Sequence, residues 1–177
     1  MINVAGLIGE SYVDGEGVRF TIFEQGCTHN CKGCHNPETH SFNLNKPYKI
    51  EDLFNKICEN PLLDGVTFSG GDPFFQAKNN IRLITEIKEK TTLNIWAYTG
   101  YSWEDFFNYK IKGEQPKGKS PINSDMISML ELCDVIVDGR FIEKLRTLDS
   151  SYVGSSNQRI IDVQKSLWRA VPVIYLN

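Results

Sequence analysis

The sequence lacks the features that mark membrane-spanning, exported and nucleic-acid-binding proteins. It has no apolar run of about 18 residues, so no transmembrane helix is expected. The stretch MINVAGLIGESYVDGEG has neither a basic start nor a long apolar segment, so a secretory signal is not expected. The net charge is −3 and no basic block occurs, which argues against a nucleic-acid partner. We therefore expect a cytoplasmic protein that binds neither membranes nor nucleic acid.

Cysteine is scarce, and the five cysteines present do not suit a disulfide framework. Their number is odd, and a reducing compartment disfavours disulfides. Three of them, Cys27, Cys31 and Cys34, crowd into one short loop. Thiolates this close together are soft ligands for zinc or for an iron–sulfur cluster. The other two, Cys58 and Cys133, fall on apolar helix faces and are predicted to be small core residues.

The three clustered cysteines allow more than one interpretation. A structural zinc site needs four ligands, and the local candidate for the fourth is His35, directly adjacent to Cys34; a distant ligand would also serve. Residues 31–35 fit the haem-attachment pattern C-x-x-C-H, but that pattern leaves Cys27 unexplained. A [4Fe–4S] cluster on three thiolates leaves one iron open, and open positions are where metals do chemistry. His29, inside the loop, is predicted to be exposed and not to be a ligand.

The rest of the chain alternates predicted strands and helices. Strands are predicted at VRFTIFEQG, GVTFSGG, LNIWAYTG, DVIVDG and RIIDV. Helices are predicted at IEDLFNKICEN, NNIRLITEIKEK, SWEDFFNYK with Ser102 as N-cap, and residues 124–132. This alternation predicts a single α/β domain over residues 1–177, built on a parallel sheet. The chain is shorter than the roughly 250 residues of a full (β/α)8 barrel, so we expect a partial barrel, open on one side, or an open sheet.

Four unusual loops each follow a predicted strand: the cysteine loop, SGGDP, YTGY and VDGRF. Ligands bind at the carboxyl ends of parallel strands, so we expect these loops to gather at one edge. Residues 112–123, KGEQPKGKSPIN, are predicted to form an exposed loop and have the character of a local insertion.

The C-x3-C-x2-C spacing resembles the cluster motif of the radical S-adenosylmethionine (SAM) enzymes. Within that superfamily, VDGEGVRFTIFEQGCTHNCKGCHNP is similar to the activating enzymes of glycyl-radical proteins. The matching positions are Asp14-Gly15, Gly17-Val18-Arg19, Gln25-Gly26 and His35-Asn36. Gly33 replaces the aromatic residue that usually precedes the third cysteine; a glycine there is familiar from the branch that activates the anaerobic ribonucleoside-triphosphate reductase. SGGDPF, YTGY, VDGRF and GSSNQRIIDV resemble the same family.

This resemblance implies a partial radical-SAM barrel in which Cys27, Cys31 and Cys34 hold a [4Fe–4S] cluster and SAM occupies the open iron. It implies a set of SAM-binding residues drawn from the loops: Gly33, Cys34, His35, Gly70, Gly71, Asp72 and Asp138. The glycines are expected to let backbone approach the ligand. Asp72 is expected to accept a hydrogen bond from the SAM ammonium, and Asp138 to contact the ribose or the methionine amine. A plain turn would also explain SGGDP and Asp138.

The implied activity is reductive cleavage of SAM that leaves a glycyl radical on the anaerobic ribonucleoside-triphosphate reductase. The electron would come from a donor such as a flavodoxin or ferredoxin, and no catalytic residue is expected beyond the cluster and SAM. The alternatives are an activator of another glycyl-radical enzyme of the formate-lyase type, a radical-SAM enzyme acting on a small molecule, and a non-enzymatic electron carrier or zinc module.

Arg19 is predicted to neutralise the cluster or the SAM carboxylate, or to form a strand-edge salt bridge. Asn157, Gln158 and Arg159 are predicted to shape the SAM pocket or the partner groove.

Overall fold

The computed structural model describes residues 1–43 and 46–176, which form a mixed sheet with helices packed on it. The strands are β1 (Ile2–Ser11), β2 (Arg19–Glu24), β3 (Pro47–Tyr48), β4 (Gly65–Gly70), β5 (Asn94–Tyr98), β6 (Val135–Asp138), β7 (Arg159–Asp162) and β8 (Val173–Leu176). The helices are α1 (Ile50–Cys58), α2 (Ala77–Lys90), α3 (Trp103–Lys112), α4 (Ser124–Leu132) and α5 (Val163–Arg169). Over these residues, every helix is too short or too polar to cross a membrane.

The sheet is parallel only in its middle. Its order is β3-β1-β2-β4-β5-β6-β7-β8, and β2, β4, β5 and β6 pair in parallel while the outer pairs are antiparallel. The predicted α/β class is confirmed, and the prediction of a parallel sheet holds for the central strands and is wrong for the outer ones. Only residues 12–18 join β1 to β2, and parallel pairing needs a longer crossover.

The two faces of the sheet bury different side chains. Successive residues of a strand point to opposite faces. Ile95 and Ala97 of β5 therefore belong to the main core with the helices, whereas Trp96 belongs to a smaller cluster on the other face. Tyr98, at the carboxyl end of β5, packs against this smaller cluster together with Tyr152.

The sheet curls without closing. The Tyr175 hydroxyl of β8 donates to Glu16 Oε2 at 2.7 Å, although Glu16 precedes β2 on the far side of the sheet. The Tyr175 ring also packs edge-on against Trp96, with 5.6 Å between ring centroids. Within the described residues β3 and β8 stand at opposite ends of the strand order. The structure is therefore an open, curled sheet.

The predicted helices are present, and Ser102 caps α3 in a reciprocal pair with Asp105, as predicted for its N-cap. Cys133 is fully buried, as predicted, but the prediction that Cys58 is a core residue is wrong, because Cys58 is exposed. Ile50, Leu53 and Ile57 form the buried face of α1. One further residue turns the helix by about 100°, which carries Cys58 towards solvent.

Candidate functional site

A cavity of about 280 Å³ lies at the carboxyl edge of the parallel strands. Each of the four predicted loops contributes to its wall. The connection that begins with VDGRF contributes a second time, just before β7. Examples from the successive loops are Cys27, Gly71, Gly100, Arg140 and Gly154. The prediction that these loops gather at one edge is confirmed.

The three clustered cysteines all line this cavity and are half-buried. Burial raises the pKa of Cys27 to about 12 and also raises the pKa of Cys31, because a thiolate loses solvation in the protein. Binding to a cation would replace the thiol protons and compensate this cost. Among the described residues, no three His, Cys, Asp or Glu side chains are arranged so that they could hold one metal ion. An iron–sulfur cluster fits such thiols, because each one binds a different iron.

The cysteine loop is held at its base by the residues just before it. The Gln25 amide donates to the carbonyls of Glu38 and Ser41, at 3.1 and 2.7 Å. The Gly26 backbone N–H donates to the Thr39 carbonyl at 2.7 Å. Gln25 is itself buried. The Gln-Gly pair thus fixes the point at which the loop leaves β2.

The two glycines at the end of β4, Gly70 and Gly71, permit close packing of backbone on backbone. Gly70 has φ +92°, and a Cβ there would lie 2.4 Å from Glu24 N. A Cβ on Gly71 would lie 2.4 Å from the Gly26 carbonyl oxygen. Both glycines also line the cavity. They therefore bring the turn against the cysteine loop and expose backbone to any ligand there.

The Asp72 side chain is fully engaged inside the protein. It is 1% exposed and does not line the cavity. Its Oδ1 accepts from Phe74 N at 3.0 Å. Its Oδ2 accepts from His29 Nε2 at 2.7 Å, and from Thr99 Oγ1 and Gly100 N at 2.9 Å each.

The prediction that His29 is exposed is wrong, because the chain buries it to 6% exposure. The Asp72 carboxylate holds the imidazole inside the protein, and the ring lies edge-on to Tyr101 with 4.8 Å between centroids. His29 also lines the cavity. Its position between two cysteines did not reveal this, because Thr28 and Asn30 lie between the same cysteines and are exposed.

Asp138 lies behind the cavity wall. It is buried and pairs with Arg159 through two contacts, Nη2 to Oδ2 at 2.5 Å and Nε to Oδ1 at 3.0 Å. It also accepts from Trp103 N at 2.8 Å. The same guanidinium binds Glu104, and these two carboxylates raise the pKa of Arg159. The pair fastens the end of β6 to the start of α3 and β7.

The two predicted SAM-contacting residues beside the third cysteine differ in position. His35 lines the cavity and packs against Phe141, with 4.8 Å between ring centroids. Gly33 lies outside the cavity lining, with φ +73°. The Cys34 N–H donates to the Cys31 carbonyl at 3.2 Å across this turn. Gly33 therefore permits the turn that returns the chain to Cys34.

Two residues of GSSNQR fix the loop between β6 and β7. The Gln158 amide donates to the Gly139 carbonyl at 2.9 Å and accepts from Gly154 N at 2.9 Å. Asn157 donates to the Arg140 carbonyl at 2.9 Å. Of the two, only Gln158 lines the cavity.

The Arg19 side chain is fully buried on one face of the sheet. Its guanidinium donates to Thr67 Oγ1 at 2.6 Å and to the Val66 carbonyl at 3.0 Å, and lies 5.1 Å from the Trp96 ring centroid. Burial lowers the pKa of Arg19 to about 10. Among the described residues it forms no salt bridge and does not line the cavity. The predicted strand-edge salt bridge is thus wrong.

Residues 112–123 are docked beside the cysteine loop. The hydroxyls of Thr28 and Ser120 lie 2.7 Å apart. Tyr101 Oη donates to the Ser120 carbonyl at 3.0 Å, and Arg140 Nη2 donates to the Gly118 carbonyl at 2.8 Å. Arg140 lines the cavity and was missed from sequence. Its signal was its place in VDGRF, directly after a strand end.

Comparison with known proteins gives consistent results. A family model described as a 4Fe-4S single cluster domain matches residues 13–161. Proteins named anaerobic ribonucleoside-triphosphate reductase-activating protein are similar over most of the chain. That of Escherichia coli K12 is 30% identical over 153 residues, covering 82% of this chain and 89% of that protein. That of Haemophilus influenzae is 31% identical over 157 residues, covering 84% and 90%.

A third relative of the same name comes from Enterobacteria phage T4 and is 29% identical over 167 residues, covering 89% of this chain and 92% of that protein. The family model supports an iron–sulfur cluster, and its match spans the loop that carries the three cavity-lining cysteines. The resemblance drawn from the sequence motifs is thereby confirmed. The chain belongs to the 4Fe-4S single cluster domain family and, within it, to the anaerobic ribonucleoside-triphosphate reductase-activating proteins.

Proposed function

We propose that this protein is a radical-SAM enzyme that generates a glycyl radical on an anaerobic ribonucleoside-triphosphate reductase. The observation that carries the proposal is the cavity itself, where Cys27, Cys31 and Cys34 face a glycine-rich turn. Three thiols leave one iron of a [4Fe–4S] cluster without a protein ligand, and the wall beyond them carries exposed backbone and polar groups. The names of the relatives support the reductase as the target.

When bound, the cluster and SAM would supply the bond-breaking chemistry: one-electron reductive cleavage of SAM to methionine and 5′-deoxyadenosine, coupled to removal of a hydrogen atom from a glycine of the reductase. The protein binds, orients and shields these groups. The three cysteines would hold the cluster, and the Gly70-Gly71 backbone together with His35 would contact SAM. Asp72, Asp138 and Gly33 complete the proposed site from behind the cavity lining.

The open, curled sheet suits a protein substrate. We propose that it is a partial radical-SAM barrel, and that the gap between its outermost strands admits a loop of the reductase. The electron would come from a reduced carrier such as a flavodoxin or ferredoxin in the cytoplasm. A small-molecule substrate would call for a closed pocket, and this sheet is open.

The test mixes anaerobically reconstituted and reduced protein with SAM and the reductase. We expect methionine and 5′-deoxyadenosine, together with a doublet in the electron paramagnetic resonance (EPR) spectrum of the reductase. A reductase whose radical glycine is replaced by alanine is the matched control and should give no doublet. SAM cleavage with activation of a formate-lyase-type enzyme instead would refute the proposed partner, and absence of SAM cleavage would refute the proposed chemistry.

A further inference from the structure

We infer that Asp72 is a positioning residue whose buried carboxylate joins three loops of the site through His29, and that it does not contact SAM itself. The inference rests on the proposed function, since it concerns how the chain builds that cluster and SAM site. It replaces the direct contact between Asp72 and the SAM ammonium that the sequence led us to expect.

The first argument is that Asp72 is buried and that both of its carboxylate oxygens accept hydrogen bonds from the protein. A carboxylate only accepts hydrogen bonds, and Asp72 accepts four from the protein, three of them at Oδ2. Phe74 N donates to Oδ1, and His29, Thr99 and Gly100 donate to Oδ2. The side chain is 1% exposed and absent from the cavity wall. An ammonium group in the cavity therefore cannot reach either oxygen unless the Asp72 side chain leaves these internal donors.

The second argument is the position of His29 between two cluster cysteines. Its side chain is 2% exposed and lines the cavity. A carboxylate can only accept, so His29 Nε2 is the donor in the 2.7 Å contact with Asp72. The ring packs against Tyr101 and Phe75, with centroids 4.8 and 5.9 Å away. The cysteine loop is therefore anchored at its centre by a hydrogen bond to the turn after β4.

The third argument is the close fit of Gly100 to the imidazole. A Cβ on Gly100 would lie 2.3 Å from His29 Cδ2 and 2.6 Å from His29 Nε2. Gly100 also donates its N–H to the same Asp72 oxygen. The cysteine loop, the Gly-Gly-Asp turn and the loop after β5 thus meet at one atom. The tether sets the spacing between the cluster thiols and the wall that faces them.

The Gly100 contact permits an experiment that leaves both tethered side chains chemically intact. Gly100→Ala should push the imidazole off Asp72, whereas His29→Leu and Asp72→Ala remove one partner each. His29→Gln keeps an N–H donor and serves as the conservative rescue. Asp134→Ala is the matched control, because Asp134 also accepts from a backbone N–H and a side chain (Ile95 and Lys88), but at the opposite edge of the sheet.

Two measurements decide the matter without enzyme turnover. The first is the proton NMR signal of the His29 Nε2–H in the cluster-free protein. The second is the rate at which an anaerobic chelator removes iron from the reconstituted protein. We expect Gly100→Ala, His29→Leu and Asp72→Ala to lose the signal and to release iron at least tenfold faster than wild type. His29→Gln should recover most of the iron retention, and Asp134→Ala should keep both the signal and the iron.

Wild-type iron retention in Gly100→Ala and Asp72→Ala, with weakened SAM binding in Asp72→Ala alone, would overturn the inference and make Asp72 a SAM ligand. Equal iron loss in Asp134→Ala would reduce the tether to a general contribution to stability and overturn it as well. Failure of the wild-type protein to cleave SAM would count against the proposed function instead. The imidazole signal of the cluster-free protein would still decide whether the tether exists.

Discussion

Individual residues of the site divide into those that face the cavity and those that hold them in place. The cluster thiols, His35 and Gln158 face the cavity. Asp72 and Asp138 are buried behind it and bind His29 and Arg159. Sequence motifs identify both groups but do not separate them, because a buried acceptor and a ligand contact use the same residue types.

At this scale the cysteine assignment gives the first prediction. Replacing Cys27, Cys31 or Cys34 singly by alanine should remove most of the iron bound after anaerobic reconstitution, because in the proposed site each thiolate would hold a different iron. Iron and sulfide content and the EPR spectrum of the reduced protein measure this. Cys58→Ala on the surface and Cys133→Ala in the core are the controls. Full iron content in any of the three variants, or iron loss in Cys58→Ala, would contradict the assignment.

A second residue-scale prediction concerns Glu24, which is fully buried with both carboxylate oxygens unpartnered among the described residues. Burial raises its pKa well above the ordinary value of 4.5. The folded state therefore holds this proton more tightly than the unfolded state. The free energy of unfolding contributed by this group falls as pH rises from about 4.5 towards the folded pKa. Glutamine stays neutral at all these pH values.

Glu24→Gln should therefore unfold with a free energy about 1–3 kcal/mol higher than wild type at pH 8, with the gain shrinking towards pH 5. Urea unfolding of the cluster-free protein at both pH values measures the difference. Glu51→Gln, on the exposed side of α1, is the control and should change little. A Glu24→Gln variant less stable than wild type at pH 8 would show that the native state uses the charge.

At the scale of elements, the site is built by loops packed directly on one another at the strand ends. Gly70 and Gly71 bring the end of β4 and its turn onto Glu24 at the end of β2 and onto Gly26 at the start of the cysteine loop. Residues 112–123 pack on the same loop from the other side through Ser120. The position of the cysteine loop thus depends on neighbouring loops as much as on its own residues.

Gly71→Val should lower both iron retention and SAM affinity. The new Cβ would meet the Gly26 carbonyl oxygen at 2.4 Å, and this residue directly precedes Cys27. Iron content and calorimetric titration of SAM are the measurements. Gly9→Val is the control, because no atom lies within 4 Å of a Cβ at Gly9. Normal values of both quantities in Gly71→Val would show that the turn does not support the site.

Shortening the docked loop tests its support of the cysteine loop. Replacing residues 114–120 by a short Gly-Ser linker removes the Thr28–Ser120 contact and the Gly118 carbonyl that Arg140 binds. We expect oxygen to destroy the cluster several-fold faster than in the wild type. The loss of visible absorbance measures this rate. Thr28→Val, which removes one hydroxyl, should give a smaller effect in the same direction. Unchanged rates in both variants would exclude the support.

Much of the element pattern was predictable from sequence, because the central strands and their helices have strong local periodicity. The outer elements β1, β3, β8 and α5 were missed. The sequence INVAGLIGES in β1 mixes glycines with apolar residues, and its strand is specified by pairing with β2. The burial of His29 was mispredicted for a related reason. Its partner Asp72 lies 43 residues away, so the contact exists only in the folded chain.

At the scale of the whole molecule, the sheet is open. The cavity lies among the loops at one edge of the sheet and, within the part of the chain that the structure describes, the two outermost strands, β3 and β8, are not paired with each other. The proposed transfer of a radical to another chain requires such an opening. Glycine suits the role of recipient, since its Cα–H is reachable without a side chain and the product radical is delocalised over two amides. The central claim is therefore transfer of a radical to a partner, and it requires both proteins to be tested together.

The most direct measurement is quantitative EPR of the reduced, reconstituted protein mixed with SAM and the anaerobic reductase in the absence of oxygen. The account predicts a glycyl doublet on the reductase, with one 5′-deoxyadenosine formed for each radical. The Cys31→Ala variant should give neither product, although the same reductase is present. Brisk formation of 5′-deoxyadenosine without any doublet on the reductase, under conditions in which the two proteins form a complex, would contradict the account.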